Sequence, residues 1–250
     1  MLTQYLTQTA RLLQNPGAPT ALYSTADITA YVNYARRQLA GEAACCHFTG
    51  TISTVAGQNA YPFSTINIGV PATTGVEGIF NIETIQYVVA SGQKWINPRP
   101  WPWFQLYVLN NPVPPSGAPK VWSRFGQGAS QGDSGTAQGG TFYINTPDIV
   151  YQLNCDCICY PINLADDTTP EAIPFPWTDC VPFFAAYWAY LSAQTGARQA
   201  DAERMYNHYE TFLERARKQT NSSVQRWQQS QAEDPAQAAK FGIKVGGGAG

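Results

Sequence analysis

Residues 141–217 constrain the fold more than any other part of this 250-residue chain, because the hydrophobic period changes within them. Thr141-Phe-Tyr-Ile-Asn145 and Ile149–Tyr160 are rich in β-branched and aromatic residues and read as strands. An acidic turn follows, Asp166-Asp-Thr-Thr-Pro-Glu171, and after Pro174-Phe-Pro176-Trp177 the period becomes helical. One helix is expected over roughly Asp179–Gln194, capped by Thr178 or Asp179, with Pro182 tolerated in its first turn and Gly196 ending it. A second, Arg198–Lys218, carries Met205, Tyr209, Phe212 or Leu213, and Ala216 along one face. The two read as an antiparallel hairpin. Strands that feed a helical hairpin require a sheet and a helical layer that bury their apolar faces together.

The other end of the chain is helical too. Leu2, Leu6, Leu12 and Leu13 have helical spacing and stop before the turn signal Asn15-Pro16-Gly17. Ser24-Thr-Ala-Asp27 is a hydroxyl N-cap with a carboxylate three residues on, the position that helix-terminal amides favour. Ile28, Tyr31, Val32, Ala35 and Leu39 then form an apolar stripe, with Arg36 and Arg37 off it, and the helix is expected to end near Ala44–Cys46. From His47 the pattern is β-prone. Phe48–Val55 and Ala60–Ile68 read as a hairpin about Gly57-Gln58-Asn59, and Ile79–Ala90 as a long strand that turns at Ser91-Gly92-Gln93.

Three segments break the regular pattern. Residues 94–122 hold Trp95 and Asn97-Pro98-Arg99-Pro100-Trp101-Pro102-Trp103, whose prolines argue against a central strand or a continuing helix. A short helical turn is expected over Trp103–Asn110, and a strand over Lys120–Phe125. Gly126–Gly140 reads as a flexible loop, and it lacks both the Gly-Lys-Ser/Thr ending and the Gly-x-Gly-x-x-Gly spacing of phosphate-binding loops. Gln219–Gly250 is polar and Gln-rich, with isolated apolar residues at Val224, Trp227, Phe241, Ile243 and Val245. Fully extended, it would reach about 100 Å. The expected architecture is therefore α+β: terminal helices packed as a small bundle, an inserted antiparallel β-rich region and an extended C-terminal tail. The boundaries are 1–46 and 176–218 for the bundle, 47–175 for the insert and 219–250 for the tail.

The composition narrows the function classes. Only 13% of residues are charged, about half the usual share, which suits a subunit whose faces are covered by other subunits. Between Arg124 and Arg198 there is no Lys or Arg, while seven acids occur, so this part repels a nucleic-acid backbone. No apolar run approaches the roughly 20 residues that span a bilayer, and Met1–Gln8 lacks the basic and apolar regions of a signal peptide. Synthesis in a cytosol and reduced thiols are the corresponding expectations.

Cys155-Asp-Cys157-Ile-Cys159 alternates as a strand does, placing three thiols on one face. Structural zinc instead uses knuckles of paired cysteines, so small buried apolar side chains are the simpler reading, even with Cys45, Cys46 and His47 as further donors. No metal, cofactor or catalytic residue is expected. Neither Cys46–His47 nor His208 has a nucleophile signature, and the adjacent acids Asp166 and Asp167 diverge rather than flank a sugar ring. Trp95, Trp101 and Trp103 suit a core, a subunit interface or a carbohydrate-stacking platform.

The order of motifs resembles the head-to-tail adaptor proteins of tailed bacteriophages. The resemblance rests on Asp27-Ile28…Val32-Asn33-Tyr34-Ala35, the turn Ala56-Gly-Gln-Asn-Ala-Tyr61-Pro62, the Ile79–Val89 strand, Asp166–Pro174 and the closing aromatic helices. It covers residues 2–217, with 94–122 and 126–140 as apparent insertions. It implies a non-enzymatic virion protein at the head–tail junction, assembled in the host cytoplasm. It also implies a closed ring of about twelve copies between the portal and the tail or nozzle proteins, with genome DNA passing through the lumen without sequence-specific binding. The partner-binding residues expected are Trp227, Phe241, Ile243 and Val245 in the tail, with Trp101 and Trp103 in the proline-rich segment. The rival expectation is a glycan-binding tail or surface module that uses Trp95, Trp101 and Trp103.

Overall fold

The computed structural model describes residues 1–15, 21–89, 92–111, 116–126, 140–193 and 198–232, the last twelve of these by their backbone alone. Four helices form the bundle: α1 (Leu2–Leu12), α2 (Thr25–Ala43), α5 (Val181–Ser192) and α6 (Gln199–Ala232). Between them lie β1 (His47–Ser53), β2 (Ala60–Pro62), the one-turn helix α3 (Pro71–Thr74), β3 (Val76–Val89) and β4 (Gly92–Pro98). The turn α4 (Trp101–Phe104), β5 (Val121–Phe125), β6 (Thr141–Ile144) and β7 (Gln152–Pro161) complete the insert. The class is α+β.

The start of α2 is set by the expected cap. The Asp27 amide donates to Ser24 Oγ at 3.1 Å, and the Ser24 amide donates back to Asp27 Oδ2 at 3.1 Å, which satisfies two end amides reciprocally. Hydrogen bonds from Ser24 hold the Asp27 carboxyl below its usual range. The helix ends where Ala44 turns left-handed at φ 50°. Ile28, Val32 and Leu39 are buried, each contributing about 1.5–3 kcal/mol of apolar transfer. Apolar on nearly every side, α5 is the central helix, packed against α1, α2 and α6. Its expected cap is absent. A tight turn over Trp177–Cys180 runs straight into it, so Cys180 already has helical angles and neither Thr178 nor Asp179 takes the extended conformation that capping needs.

The seven strands form one sheet in the order β1-β7-β3-β4-β5-β6-β2. The expected β1–β2 hairpin does not form. β1 pairs with β7 over its whole length, His47 opposite Ile158 through Ser53 opposite Gln152, while β2 pairs with β6 at the other edge. The intervening turn is held instead by the Tyr61 hydroxyl, which accepts from the Val55 amide and donates to the Gln58 carbonyl. Beyond β2 the chain returns to β1, where Thr51 and Asn67 exchange amide–carbonyl bonds of 3.0 and 2.8 Å, so the sheet curls towards closure. Gly50 lies under Ile66 and Cys157 at this crossing, and a Cβ there would collide with the Ile66 side chain.

The insert is not wholly antiparallel, since β4 and β5 pair in parallel through Asn97–Val121 and Pro98–Trp122. Nor do the prolines exclude an interior strand. Pro98 is the last residue of β4, where the ladder stops, and Gly92 and Gln93 belong to the strand rather than to a turn. Three register shifts against β7 bend the long strand β3.

Two apolar clusters result. One fills the bundle; the other lies inside the sheet and contains Ile82, Ile85, Phe142, Ile144 and the three alternating cysteines. Ala172 packs against both. The last helix departs most from expectation. Met205, Tyr209, Leu213 and Ala216 are buried as the spacing predicts, but the backbone stays helical to Ala232 instead of dissolving after Lys218. Residues 127–139 of the Gly-rich segment, the turn at Pro16-Gly17 and Gly196 lie outside the described residues.

Candidate functional site

The Asp166–Pro174 turn is a latch for the two N-terminal helices. Asp166 Oδ1 accepts from the amides and hydroxyls of Thr168 and Thr169, which folds the turn on itself. Asp167 faces the start of α1 and accepts from the Met1 ammonium and the Thr3 amide, both at 2.8 Å, and from the Thr3 hydroxyl. These donors lower both carboxyl pKa values, led by the Thr168 hydroxyl at Asp166 and the N-terminal ammonium at Asp167, where the fall is large.

Glu171 reaches deeper. It receives Arg36 Nη2 at 2.8 Å and Nε at 3.1 and 3.2 Å, the Tyr5 hydroxyl at 2.9 Å and the Ile173 amide at 2.9 Å. Arg36 also donates through Nη1 to the Ile162 carbonyl at 2.6 Å. Its side chain is 1% exposed and that of Glu171 10%, so the pair is buried and fork-on-fork. Burial and the neighbouring Glu171 charge push the Tyr5 phenol far above its usual range. Arg36 was expected off the apolar stripe, and it is buried instead. Its position four residues after Val32 and three before Leu39 was the available signal, but its partner is 135 residues away. Asn33, one turn earlier, clasps the Leu164 backbone from both sides, donating to its carbonyl at 3.1 Å and accepting from its amide at 2.8 Å.

The candidate chemistry is absorbed by structure. Cys155, Cys157 and Cys159 are fully buried on the inner face of β7. Burial raises the Cys155 and Cys159 thiols to about 12, and that of Cys157 further. Such thiols stay protonated at neutral pH and are neither nucleophiles nor ready ligands. Among the described residues no three His, Cys, Asp or Glu side chains converge to hold a metal ion. Cys46 Sγ donates to the Ala172 carbonyl, whereas His47 Nδ1 pairs with Asp156 at 2.9 Å, so the two do not form a dyad. The Asp156 hydrogen bond raises the His47 pKa. The His208 ring packs at a tilt against Phe183, with centroids 5.3 Å apart.

Trp101 and Trp103 take different aromatic partners. Trp101 packs among Phe104, Phe125 and Tyr143, and Trp103 lies against Tyr107 with the Arg99 guanidinium 5.0 Å above its ring. Trp95 sits on β4 opposite Gln86 and is half-buried. Beside them Leu106, Tyr107 and Phe125 are each more than half exposed, and at another corner of the sheet so are Val55, Ile149 and Val150. Trp227 lies within α6; Phe241, Ile243 and Val245 fall outside the described residues.

A concavity follows the outer face of α2. It is an open groove of about 880 Å³ whose floor is Ala26, Thr29, Ala30 and Gly41, with Tyr34, Phe80 and Tyr160 as aromatic walls. The Arg37–Glu77 ion pair ties the helix to β3 beside it. At the end of α2, Glu42 Oε2 accepts from the Tyr209 hydroxyl, and its carbonyl accepts from Arg217 Nε at 2.9 Å. No helix among the described residues is long and apolar enough to cross a membrane.

The family model described as SU10 adaptor protein matches residues 2–235. No curated protein matches the chain. The chain belongs to the SU10 adaptor protein family and is a phage structural adaptor protein.

Proposed function

We propose that this SU10 adaptor family member is a non-enzymatic ring subunit that joins the portal to the tail and surrounds the DNA exit channel. The observation that carries the reading is the family match across nearly the whole chain. The site geometry supports it, because the buried ionisable groups are used to latch helices together and the exposed features are large apolar side chains and a groove. Such surfaces suit contact with neighbouring proteins. The run from Phe125 to Ala197, with seven acids and no Lys or Arg, would let DNA slide past without adhering. About twelve copies would close the ring. The C-terminal tail, with Trp227, Phe241, Ile243 and Val245 as anchors, would extend onto the portal or a neighbouring subunit, and Trp101 and Trp103 would stiffen a rim that meets a partner.

Projection imaging of the purified chain mixed with its portal tests this directly. A ring coaxial with the portal is the expected result; portal particles that stay bare at saturating concentrations would overturn the reading. Deleting residues 219–250 should leave the subunit folded and weaken portal association in pull-down, and undiminished binding would remove the tail from the interface.

A further inference from the structure

We propose that Phe175 and Asp179 of one copy dock into the cleft between β3 and β5 of a second copy, a head-to-tail contact that rests on the ring reading. The first observation is the knob. Phe175 is 80% exposed, more than any other large hydrophobic side chain among the described residues. It stands between Pro174 and Pro176, whose fixed φ stiffens the corner, and the buried Ile173 and Trp177 on either side hold the corner down. A ring presented this rigidly loses little freedom on docking. Asp179 is exposed on the same turn, where its amide donates to the Pro176 carbonyl at 3.1 Å. In sequence the nearest Lys or Arg on either side are Arg124 and Arg198, so the corner presents an apolar tip beside an anion.

The second observation is the receptor. β4 ends at Pro98 and the chain leaves the sheet through Pro100 into α4, while β3 and β5 continue on either side. Where the strand departs there is a cleft of about 350 Å³, walled by Pro98, Pro100 and Trp101 and bounded by Ile82 of β3. That volume is at the small end of ligand-sized pockets, room for a side chain rather than for a helix. Pyrrolidine rings and an indole are flat apolar surfaces against which a phenyl ring packs well. Phe125, more than half exposed, adjoins Trp101 with ring centroids 4.9 Å apart and extends the apolar surface beside the cleft.

The third observation is charge. Arg99 and Arg124 both line the cleft, and both are exposed. Arg99 lies over the Trp103 ring, and Arg124 donates through Nη1 to the neutral acceptor Asn81 Oδ1, so neither contact supplies an anion. Among the described residues neither arginine nor Asp179 takes part in an ion pair. Glu83 also lines the cleft, which leaves two cations against one acid, and Asp179 from a neighbour restores the balance. A carboxylate between guanidiniums forms charge-assisted bonds that fix register across an interface, and an aromatic anchor beside it is the usual centre of the binding energy. Because knob and cleft are different surfaces of the same chain, the contact is heterologous, and repetition closes into a ring when the rotation permits.

Photocross-linking of the full chain, alone and mixed with its portal, tests this. p-Benzoylphenylalanine at position 175 is irradiated in a mixture of isotope-labelled and unlabelled copies, so that adducts between copies are told from those within one. Docking should place the adducts between copies on residues 98–101. Phe175→Ser should weaken self-association in sedimentation velocity about tenfold or more. Its circular dichroism spectrum should be unchanged, because the side chain it removes is exposed. Asp179→Arg and Arg99→Glu should each weaken association too, and the double variant Arg99→Glu, Asp179→Arg should associate more tightly than either single variant.

Adducts on other segments of a neighbouring copy, or on the portal in place of the cleft, would overturn the docking and leave the ring reading standing. So would adducts confined to one chain, or self-association that Phe175→Ser leaves undiminished. Absence of adducts between copies, both alone and on the portal, also overturns it, while coaxial imaging with the portal decides the ring separately.

Discussion

Substitution of Glu171 by Ala should destabilise the chain far more than loss of a surface charge would. In the native state Glu171 accepts from Arg36, from the Tyr5 hydroxyl and from the Ile173 amide, and its removal leaves a guanidinium with 1% exposure facing no anion. Exposed ion pairs contribute about 0–1 kcal/mol, but breaking a buried pair by deleting one partner costs about 3–5 kcal/mol. A chain of this size loses about 2–4 °C in Tm per kcal/mol, so the fall should be about 6–20 °C. Differential scanning calorimetry and denaturant titration followed by tryptophan fluorescence would measure it. The double variant Arg36→Met, Glu171→Met should recover most of the loss, because it removes the unpaired charge along with the pair. A cost below about 1 kcal/mol for Glu171→Ala, or a double variant as unstable as the sum of the singles, would refute the argument that the pair is dry and coupled.

Asn33→Ala should cost about 1–3 kcal/mol, since it leaves the Leu164 amide and carbonyl without their partner, and chemical denaturation would show it. The acid limb of stability should follow Asp166 and Asp167. Their folded pKa values lie below 3.8, so their contribution is present above about pH 4 and is lost as pH falls through the depressed values; Asp167→Asn should flatten this limb of a Tm–pH profile. His47 has the opposite sign. Asp156 raises its pKa above 6.5, so its contribution is full below 6.5 and fades as pH rises through the folded value, and Asp156→Asn should converge with the parent at about pH 9. Native protein at neutral pH should react with almost no thiol reagent, and denatured protein with six equivalents, because all six thiols are buried and burial also holds Cys155, Cys159 and Cys180 near 12.

The parts legible from the chain were those in which neighbouring residues decide. The Ser24–Asp27 box closes within four residues, the buried face of α6 follows its i, i+3, i+4 spacing to Ala216, and the three cysteines of β7 share a face because a strand alternates. Motif order likewise needed no coordinates, and it pointed to the adaptor family that the match over residues 2–235 shows. The latch was only half visible. Asp166–Glu171 reads from the sequence as the turn between the strands and the closing helices, but neither Arg36 nor Tyr5 can be assigned to Glu171 across more than 130 residues. The groove had no sequence signal at all, since it exists only where α2 passes Phe80 and Tyr160.

Periodicity therefore determined which segments are helices and strands and which faces they bury, because those preferences act over one or two turns of backbone. Tertiary structure decided the rest. β1 pairs with β7 rather than β2 because β7 offers a full-length partner, whereas β2 ends at Pro62 as the chain enters a tight turn. Pro98 is accepted in an interior strand because it falls where the ladder stops. Arg36 can sit in an apolar core because the Glu171 carboxylate, Asn33 Oδ1 and the Ile162 carbonyl all accept from it, and a buried charge is tolerated only where folding assembles such partners, most of them from distant parts of the chain.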